Sequence, residues 1–284
     1  MINKHSLIIA LEPDKYEIFD KRIMKPFTFQ MEFKDEGGIK GSMVNQVCDS
    51  VKIKKEKFEF FIPNNVGVLL SISKKNKEAA SDFFNENIIN NTKSESDKIE
   101  ELKSKSSTFC DYIELIQTSI VFAYTSLEAF SNLSIPSNYT YSQKIKNKGT
   151  VENFDKESIE KWIDLKTKIN LILPEIYKTK KLQETKLWSH FVKLEKYRHE
   201  IIHQKSIDRT DFYKGYFNDD IFKVASSAEK IIQFFYDNQK LASTNPLWPW
   251  VIGEKKEFPV FQADPKRFEV VGNIHEGVKK NNYR

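Results

Sequence analysis

The sequence predicts an α+β fold that is predominantly α: a helical bundle over residues 76–240, a small β-rich N-terminal region over residues 1–75, and a short C-terminal extension over residues 241–284. Three observations carry this reading. Residues 1–75 contain short β-type runs, SLIIAL, PFTFQMEF, KFEFFI and VGVLLSI, separated by the turn residues EPD, DEGG and PNN. From about Lys74 the apolar period changes from strand-like to helical. Two later stretches then repeat apolar residues at alternating spacings of four and three, the stripe of a helix packed in a bundle.

The elements follow in order. The N-terminal runs read as a small antiparallel sheet. KKNKEAASDFFNENIIN is the first helix, and a longer one runs from about Ser96 to Leu133, with Phe109, Ile113, Ile116, Ile120, Ala123, Leu127 and Phe130 on its buried stripe. Pro136 ends it. SIPSNYTYSQKIKNKG reads as a loop, and Asp155 as the N-cap of a helix carrying Ile159, Trp162, Ile163 and Ile169. Pro174 breaks or kinks that helix. Another helix covers about Gln183 to Lys205, and a last bundle helix, ending near Asn238, carries Phe217, Ile221, Val224, Ala228, Ile231 and Phe235. In the extension, NPLWPWVIG is an aromatic packing segment, and FPVFQ and FEVVGNI suggest a little strand.

Composition narrows the function classes. Two cysteines, Cys48 and Cys110, make neither a disulfide framework nor a thiolate metal cluster. The opening MINKHSLIIALEPD holds only five apolar residues in a row, Leu7 to Leu11, too few for a signal-peptide core. No stretch has the length of a membrane span. A cytoplasmic protein without membrane attachment is expected. A net charge of +5 permits an anionic partner such as RNA without requiring one.

One stretch, KLEKYRHEIIHQK from Lys193 to Lys205, carries two overlapping chemical signatures. From His199 it spells HEIIH, the pattern in which two helical histidines hold zinc and the glutamate activates water. From Arg198 it spells RHEIIH, an arginine followed five residues later by a histidine, a pairing suited to chemistry on a phosphodiester. At roughly 100° per residue, Leu187, Phe191, Leu194 and Ile201 form the apolar stripe of this helix. Arg198 falls on that stripe, where a guanidinium needs a carboxylate partner or a cleft that receives an anion. His199 and His203 share a neighbouring edge, and Glu200 lies toward the polar side. The zinc reading leaves Arg198 unexplained and lacks a third ligand: Ser206 and Arg209 stand where one continuation of the motif needs Gly and His, and the next glutamate, Glu229, sits on the polar side of a later helix. A structural reading also stands, with the histidines as flank residues and Arg198 held by a core carboxylate.

Around Arg198, His199 and His203, in LEKYRHEIIHQKS, the sequence resembles the HEPN family, all-α domains of nucleases and nucleotide-binding proteins marked by an Arg, a following polar residue, and a His four to six residues beyond the Arg. The resemblance extends to TSLEAFSNL, where Glu128 takes the acidic position of an earlier bundle helix, and it covers roughly residues 76–240.

The resemblance implies a metal-independent endoribonuclease, of a kind often found as a toxin or phage-defence effector, that works as a homodimer with the Arg and His residues of two protomers in one cleft and needs no cofactor. RNA would be cut by its own 2′-hydroxyl, leaving a 2′,3′-cyclic phosphate. Imidazole titrates near neutral pH and can move the proton, the role given to His203. Arg198 would bind the scissile phosphate, His199 would position it or act as the partner acid, and Glu128 would orient Arg198 or a histidine. Two other classes remain open: a non-catalytic HEPN-like module for RNA or nucleotide binding or for dimerisation, and the zinc hydrolase. The RNA substrate, any regulatory partner and the task of residues 1–75, for which a sensor role is a hypothesis, do not follow from these residues.

Overall fold

The computed structural model describes residues 5–10, 19–33, 39–90, 97–144, 150–203, 210–238 and 260–262. Helices make up 64% of it and strands 19%, the predominantly α member of the α+β class, with a small N-terminal sheet. By internal contacts the chain divides into two units, Met1–Gly67 with Leu241–Arg284, and Val68–Lys240.

The first unit is built on a five-stranded sheet of β1 (His5–Ala10), β2 (Phe27–Phe33), β3 (Ile39–Ile53), β4 (Glu56–Phe61) and β7 (Val260–Gln262). The long β3 is central: it pairs antiparallel with β1 from Cys48↔His5, with β2 from Asn45↔Phe27 to Ile39↔Phe33, and with β4 from Cys48↔Phe61 to Ile53↔Glu56. The sequence reading passed over β3 because Ser42, Asn45, Gln46 and Asp49 interrupt its apolar pattern. Two of those polar side chains are nonetheless buried, and local carbonyls receive their amides: Asn45 Nδ2 donates to Met43 O (3.1 Å) and Gln46 Nε2 to Met24 O (2.7 Å). The expected C-terminal strand in FPVFQ is present as β7, parallel to β2 with Phe261 opposite Phe29. NPLWPWVIG and FEVVGNI lie outside the described residues.

One expected strand is a helix. VGVLLSI belongs to α1 (Asn65–Phe83), which continues through a π-helical turn to Ile89. Asn64 explains the start: its side chain accepts from the Val66 N–H (3.1 Å), satisfying one of the donors that a helix leaves open at its first turn. A short apolar run buried on several sides has no periodicity that separates strand from helix.

The second unit is organised around α2 (Lys98–Ser134), whose 37 residues span about 55 Å. Asp97 caps it, accepting from the Ile99 N–H at 2.8 Å. Of its expected stripe, Ile116, Ile120, Ala123, Leu127 and Phe130 are buried, whereas Phe109 is exposed and the same spacing continues toward the N-terminus onto exposed Leu102 and Ile99. The packed seam therefore occupies the C-terminal two thirds of the helix. α1 crosses it where Ser73 and Ser119 exchange hydrogen bonds, each hydroxyl donating to the other's carbonyl at 2.9 Å.

Beyond α2, the segment read as a loop holds a two-stranded hairpin, β5 (Tyr141–Lys144) with β6 (Val151–Phe154); Tyr141 and Phe154 pack on a small cluster of Ile135, Ile159 and Ile172. Asp155 caps α3 (Lys156–Trp162) as expected, accepting from the Ser158 N–H at 2.9 Å. That helix stops at Ile163, and Asp164 caps a new short one, α4 (Leu165–Thr167). A π-helical turn then leads without a break into α5 (Leu173–Tyr177), so Pro174 stands inside continuous helical backbone directly after the turn at which the regular hydrogen-bond ladder is interrupted. α6 (Leu187–Ile202) is shorter at both ends than the sequence suggested, and the last helix is interrupted: α7 (Thr210–Lys214) and a 3₁₀ turn precede α8 (Asp220–Ala225) and α9 (Ser227–Asn238), with Ser226 at the break, its hydroxyl donating to Phe222 O (2.8 Å). The expected apolar residues Ile221, Val224, Ala228, Ile231 and Phe235 are all buried despite that break.

The burial pattern sets a stability contrast along one stripe. Ile120→Ala in the seam should lower unfolding free energy by about 2–5 kcal/mol, and Ile99→Ala on the exposed end should change it by less than about 0.5 kcal/mol, both read from urea unfolding followed by circular dichroism. Equal losses at the two positions would mean that the N-terminal end of α2 is also covered.

Candidate functional site

Helix α6 places the candidate residues. It opens behind Thr185, whose hydroxyl accepts from the Leu187 N–H at 3.2 Å, and it is anchored by Phe191 and Leu194, both inaccessible to solvent. One turn beyond Leu194, the same face brings Arg198 against α2. Its guanidinium lies over the ring of Tyr124, 5.0 Å from the centroid, and the side chain is half-buried. Among the described residues no carboxylate lies within 4.0 Å of it and no hydrogen bond reaches it. An aromatic face holds a cation without consuming its N–H donors.

Glu128 stands one turn along α2 from Tyr124 and is half-buried. Burial pushes its carboxyl above the ordinary range, and the charges of Arg198 and Lys168 pull in the opposite direction. Arg198 and Glu128 thus share one local field without forming an ion pair among the described residues. Lys168 was missed. Its buried ammonium, lowered from the ordinary lysine range by burial and supported by Glu128, Glu160 and Asp164, donates to Asn132 Oδ1 (2.9 Å) and Glu160 O (3.1 Å). Glu195 was missed too: it lies on α6 a turn before His199, half-buried, its carboxyl raised by burial, with Lys166 and His199 opposing and Asp164 reinforcing the shift. The Tyr124 phenol is raised by burial first and then by Glu195 and Glu128.

The histidines occupy the rim. His199 and His203 are exposed, their ring centroids 4.9 Å apart. His203 is the first residue past the helix, with φ −119° and ψ 42°, and its N–H donates to His199 O at 2.9 Å. The four candidates therefore form two adjoining groups, a half-buried one of Arg198 and Glu128 around Tyr124 and an exposed one of His199 and His203. No hydrogen bond joins them among the described residues.

Glu200 faces elsewhere. It lines a cavity of about 500 Å³ with Lys193, Lys196, Tyr197, Phe212 and Asp220, a flank to which neither His199 nor His203 contributes. Among the described residues no group of three His, Cys, Asp or Glu could hold a metal ion. The donor set of the HEIIH reading is incomplete there, and its glutamate stands with a different wall. Two neighbouring residues sort differently from each other. Tyr197 is a core edge, stacked on Tyr216 at 5.5 Å with its hydroxyl donating to Gly215 O (3.3 Å). His190 is half-buried, with Nε2 4.0 Å from Asp220 Oδ1.

Tyr124 was legible in principle: it lies one helical turn before Glu128 in FAYTSLEAF, so any partner of Glu128 across the seam also meets the tyrosine. Comparison of the chain with protein-family models, with curated proteins and with solved structures finds no match.

The raised carboxyl of Glu128 has a defined pH signature. A group that holds its proton more tightly when folded costs nothing below the unfolded pKa, and it increasingly destabilises the fold as pH rises from there through the folded value. Glu128→Gln should therefore raise the melting temperature at pH 7 and leave it unchanged near pH 4, measured by thermal unfolding across that range. A gain that is equal at both values would remove the ionisation as its cause.

Proposed function

We propose that this protein is a metal-independent endoribonuclease of HEPN type, working in the cytoplasm as a homodimer, in the manner of a toxin or phage-defence effector. The observation that carries the reading is the Arg198 guanidinium: half-buried in a helix seam, laid on the Tyr124 ring, and without a carboxylate within 4.0 Å among the described residues. A buried-side cation is stable when an anion completes it, and a phosphodiester matches the planar fork of arginine. Glu128 lies close enough to hold the guanidinium by its field and leaves the N–H donors free for that phosphate.

The exposed histidine pair supplies the proton chemistry. His203 takes the proton of the substrate 2′-hydroxyl as that oxygen bonds to phosphorus, and the bond to the 5′-oxygen breaks. The leaving oxygen receives a proton from His199 or from the equivalent residue of a second protomer. The product ends are a 2′,3′-cyclic phosphate and a free 5′-hydroxyl, so DNA is not a substrate. Arg198 stabilises the charge that grows on the non-bridging oxygens. A twofold arrangement would bring two such half-sites to one RNA strand, since each chain offers its histidines at an open rim.

Purified protein in EDTA should cleave RNA to cyclic phosphate ends. Arg198→Ala and His203→Ala should each lower the rate at least 100-fold, and Glu200→Gln should retain it. End-group analysis of the fragments provides the measurement. Binding without cleavage would leave the module reading, and a wild-type hydrolytic activity that EDTA removes, zinc restores and Glu200→Gln lacks would return the HEIIH reading.

A further inference from the structure

We infer that the corner between α3 and α4 is a base-stacking platform for single-stranded RNA, with Trp162 as the surface on which an unpaired base lies and Lys161 and Lys166 holding the neighbouring phosphates, an inference that rests on RNA being the substrate of the Arg198 site.

Trp162 is the most exposed large apolar side chain among the described residues, at 68%. Its own fold does not use it: α3 is held down by Ile159, inaccessible to solvent, and the next residue, Ile163, packs on the Ile135, Ile159 and Ile172 cluster. A tryptophan ring left in water forfeits the large apolar area that this side chain ordinarily buries. Lys161 reaches over the ring with its Nζ 4.8 Å from the centroid, and Lys166 reaches the ring of Trp188 on α6 at 5.5 Å.

Neither lysine of the corner has a close ion-pair partner among the described residues, although Lys166 shares a field with Glu195. Asp164 is occupied in capping α4, accepting from the Thr167 N–H and Oγ1, both at 2.8 Å. Glu160 pairs with Lys156 at 3.1 Å. Glu157 is exposed one turn back on α3. No carboxylate lies within 4.0 Å of Lys161 or Lys166 among the described residues. An exposed indole with Lys161 at its ring and Lys166 four residues further along the chain, at the ring of Trp188, suits a polyanion with flat, unpaired bases, because stacking accepts every base and lysines can track the backbone. An A-form duplex keeps its base faces covered.

The corner also adjoins the candidate site. Asp164 acts on the Tyr124 phenol and on Glu195, and Lys166 acts on Glu195, which precedes Arg198 by three residues on α6. In the proposed arrangement a strand whose phosphate sits at Arg198 continues past α6 onto the α3–α4 corner.

The test is titration of full-length wild-type, Trp162→Ala and Trp162→Phe protein with a fluorescein-labelled 2′-O-methyl oligouridylate, which cannot be cleaved, read by anisotropy, alongside steady-state cleavage of an unmodified oligonucleotide. Trp162→Ala should weaken binding about tenfold and raise KM by the same factor with kcat unchanged, and Trp162→Phe should restore most of the loss. Replacing Lys161 and Lys166 with Ala should make the salt dependence of binding shallower by roughly one to two in log–log slope. Wild-type affinity in Trp162→Ala, a duplex bound as tightly as the single strand, or no RNA binding by the wild type would each overturn the platform. Trp162-dependent binding without any cleavage would overturn the nuclease reading and leave the platform standing, whereas Arg198-dependent cleavage that ignores Trp162 would do the reverse.

Discussion

The helical unit depends on one seam, the apolar stripe of α2 pressed against α6 and α9. Ile116, Ile120 and Leu127 on one side and Phe191, Leu194, Ile231 and Phe235 on the others are all inaccessible to solvent, and each contributes on the order of 1.5–3 kcal/mol for leaving water. An uninterrupted helix without Gly or Pro lets α2 act as the common wall for elements far apart in sequence. At its middle the wall is aromatic: Tyr112 donates to Tyr216 O at 2.6 Å and packs on Phe84 and Phe217, so the short helices after α6 have a fixed seat. At its end, Lys156 donates to Asn132 O (3.0 Å) and Ile135 O (2.6 Å), satisfying carbonyls that a helix C-terminus leaves open.

A seam of that kind tolerates charge only under conditions, and the conditions are visible. Arg198, Glu128, Lys168 and Glu195 each carry an ionisable group out of bulk water. Burial acts against the charged forms of the two glutamates and of Lys168, and the opposite charges offset part of that cost without removing it. Lys168 is consumed structurally, its ammonium tied to Asn132 and Glu160. Among the described residues Arg198 has no such acceptors, and its support is the face of Tyr124. The two cations of one seam thus differ, one saturated with oxygen acceptors and the other resting on a ring, and it is the second that the proposed function assigns to a phosphate.

The sequence disclosed the parts of the fold that depend on long-range periodicity and hid those that depend on local partners. The α2 stripe, the Asp155 cap and the apolar residues of α8 and α9 follow from spacing alone. β3 was hidden because its buried Asn45 and Gln46 look like surface residues until the carbonyls of Met43 and Met24 are in place. Residues 66–72 were misread because an apolar run fits either a strand or a buried helix, and the Asn64 cap that decides between them is a single side chain. The hairpin at 141–154 carries one aromatic per strand, Tyr141 and Phe154, too little alternation to stand out. At the site, the faces of α6 that carry Arg198 and the histidines followed from helical geometry and Glu128 was singled out by the family resemblance, whereas Tyr124, Glu195 and Lys168 became visible only when α2, α4 and α6 came together.

The two signatures overlapping in RHEIIH draw on different sides of one helix. Successive residues on α6 are turned by roughly 100°, so Arg198 points into the seam, His199 stands at the exposed rim and Glu200 reaches the cavity wall beside Lys196 and Tyr197. A zinc hydrolase needs His199 and His203 on one ion with a further ligand from another element, and Glu200 beside the water that the ion holds. Phosphate chemistry needs Arg198 and the histidines to face one strand of substrate, and these residues occupy neighbouring faces that α2 leaves accessible at the end of α6. The helix ends at Ile202, and His203 lies just beyond it. On the nuclease reading, that position sets the His203 imidazole at the exposed rim, one turn past the Arg198 that would hold the phosphate.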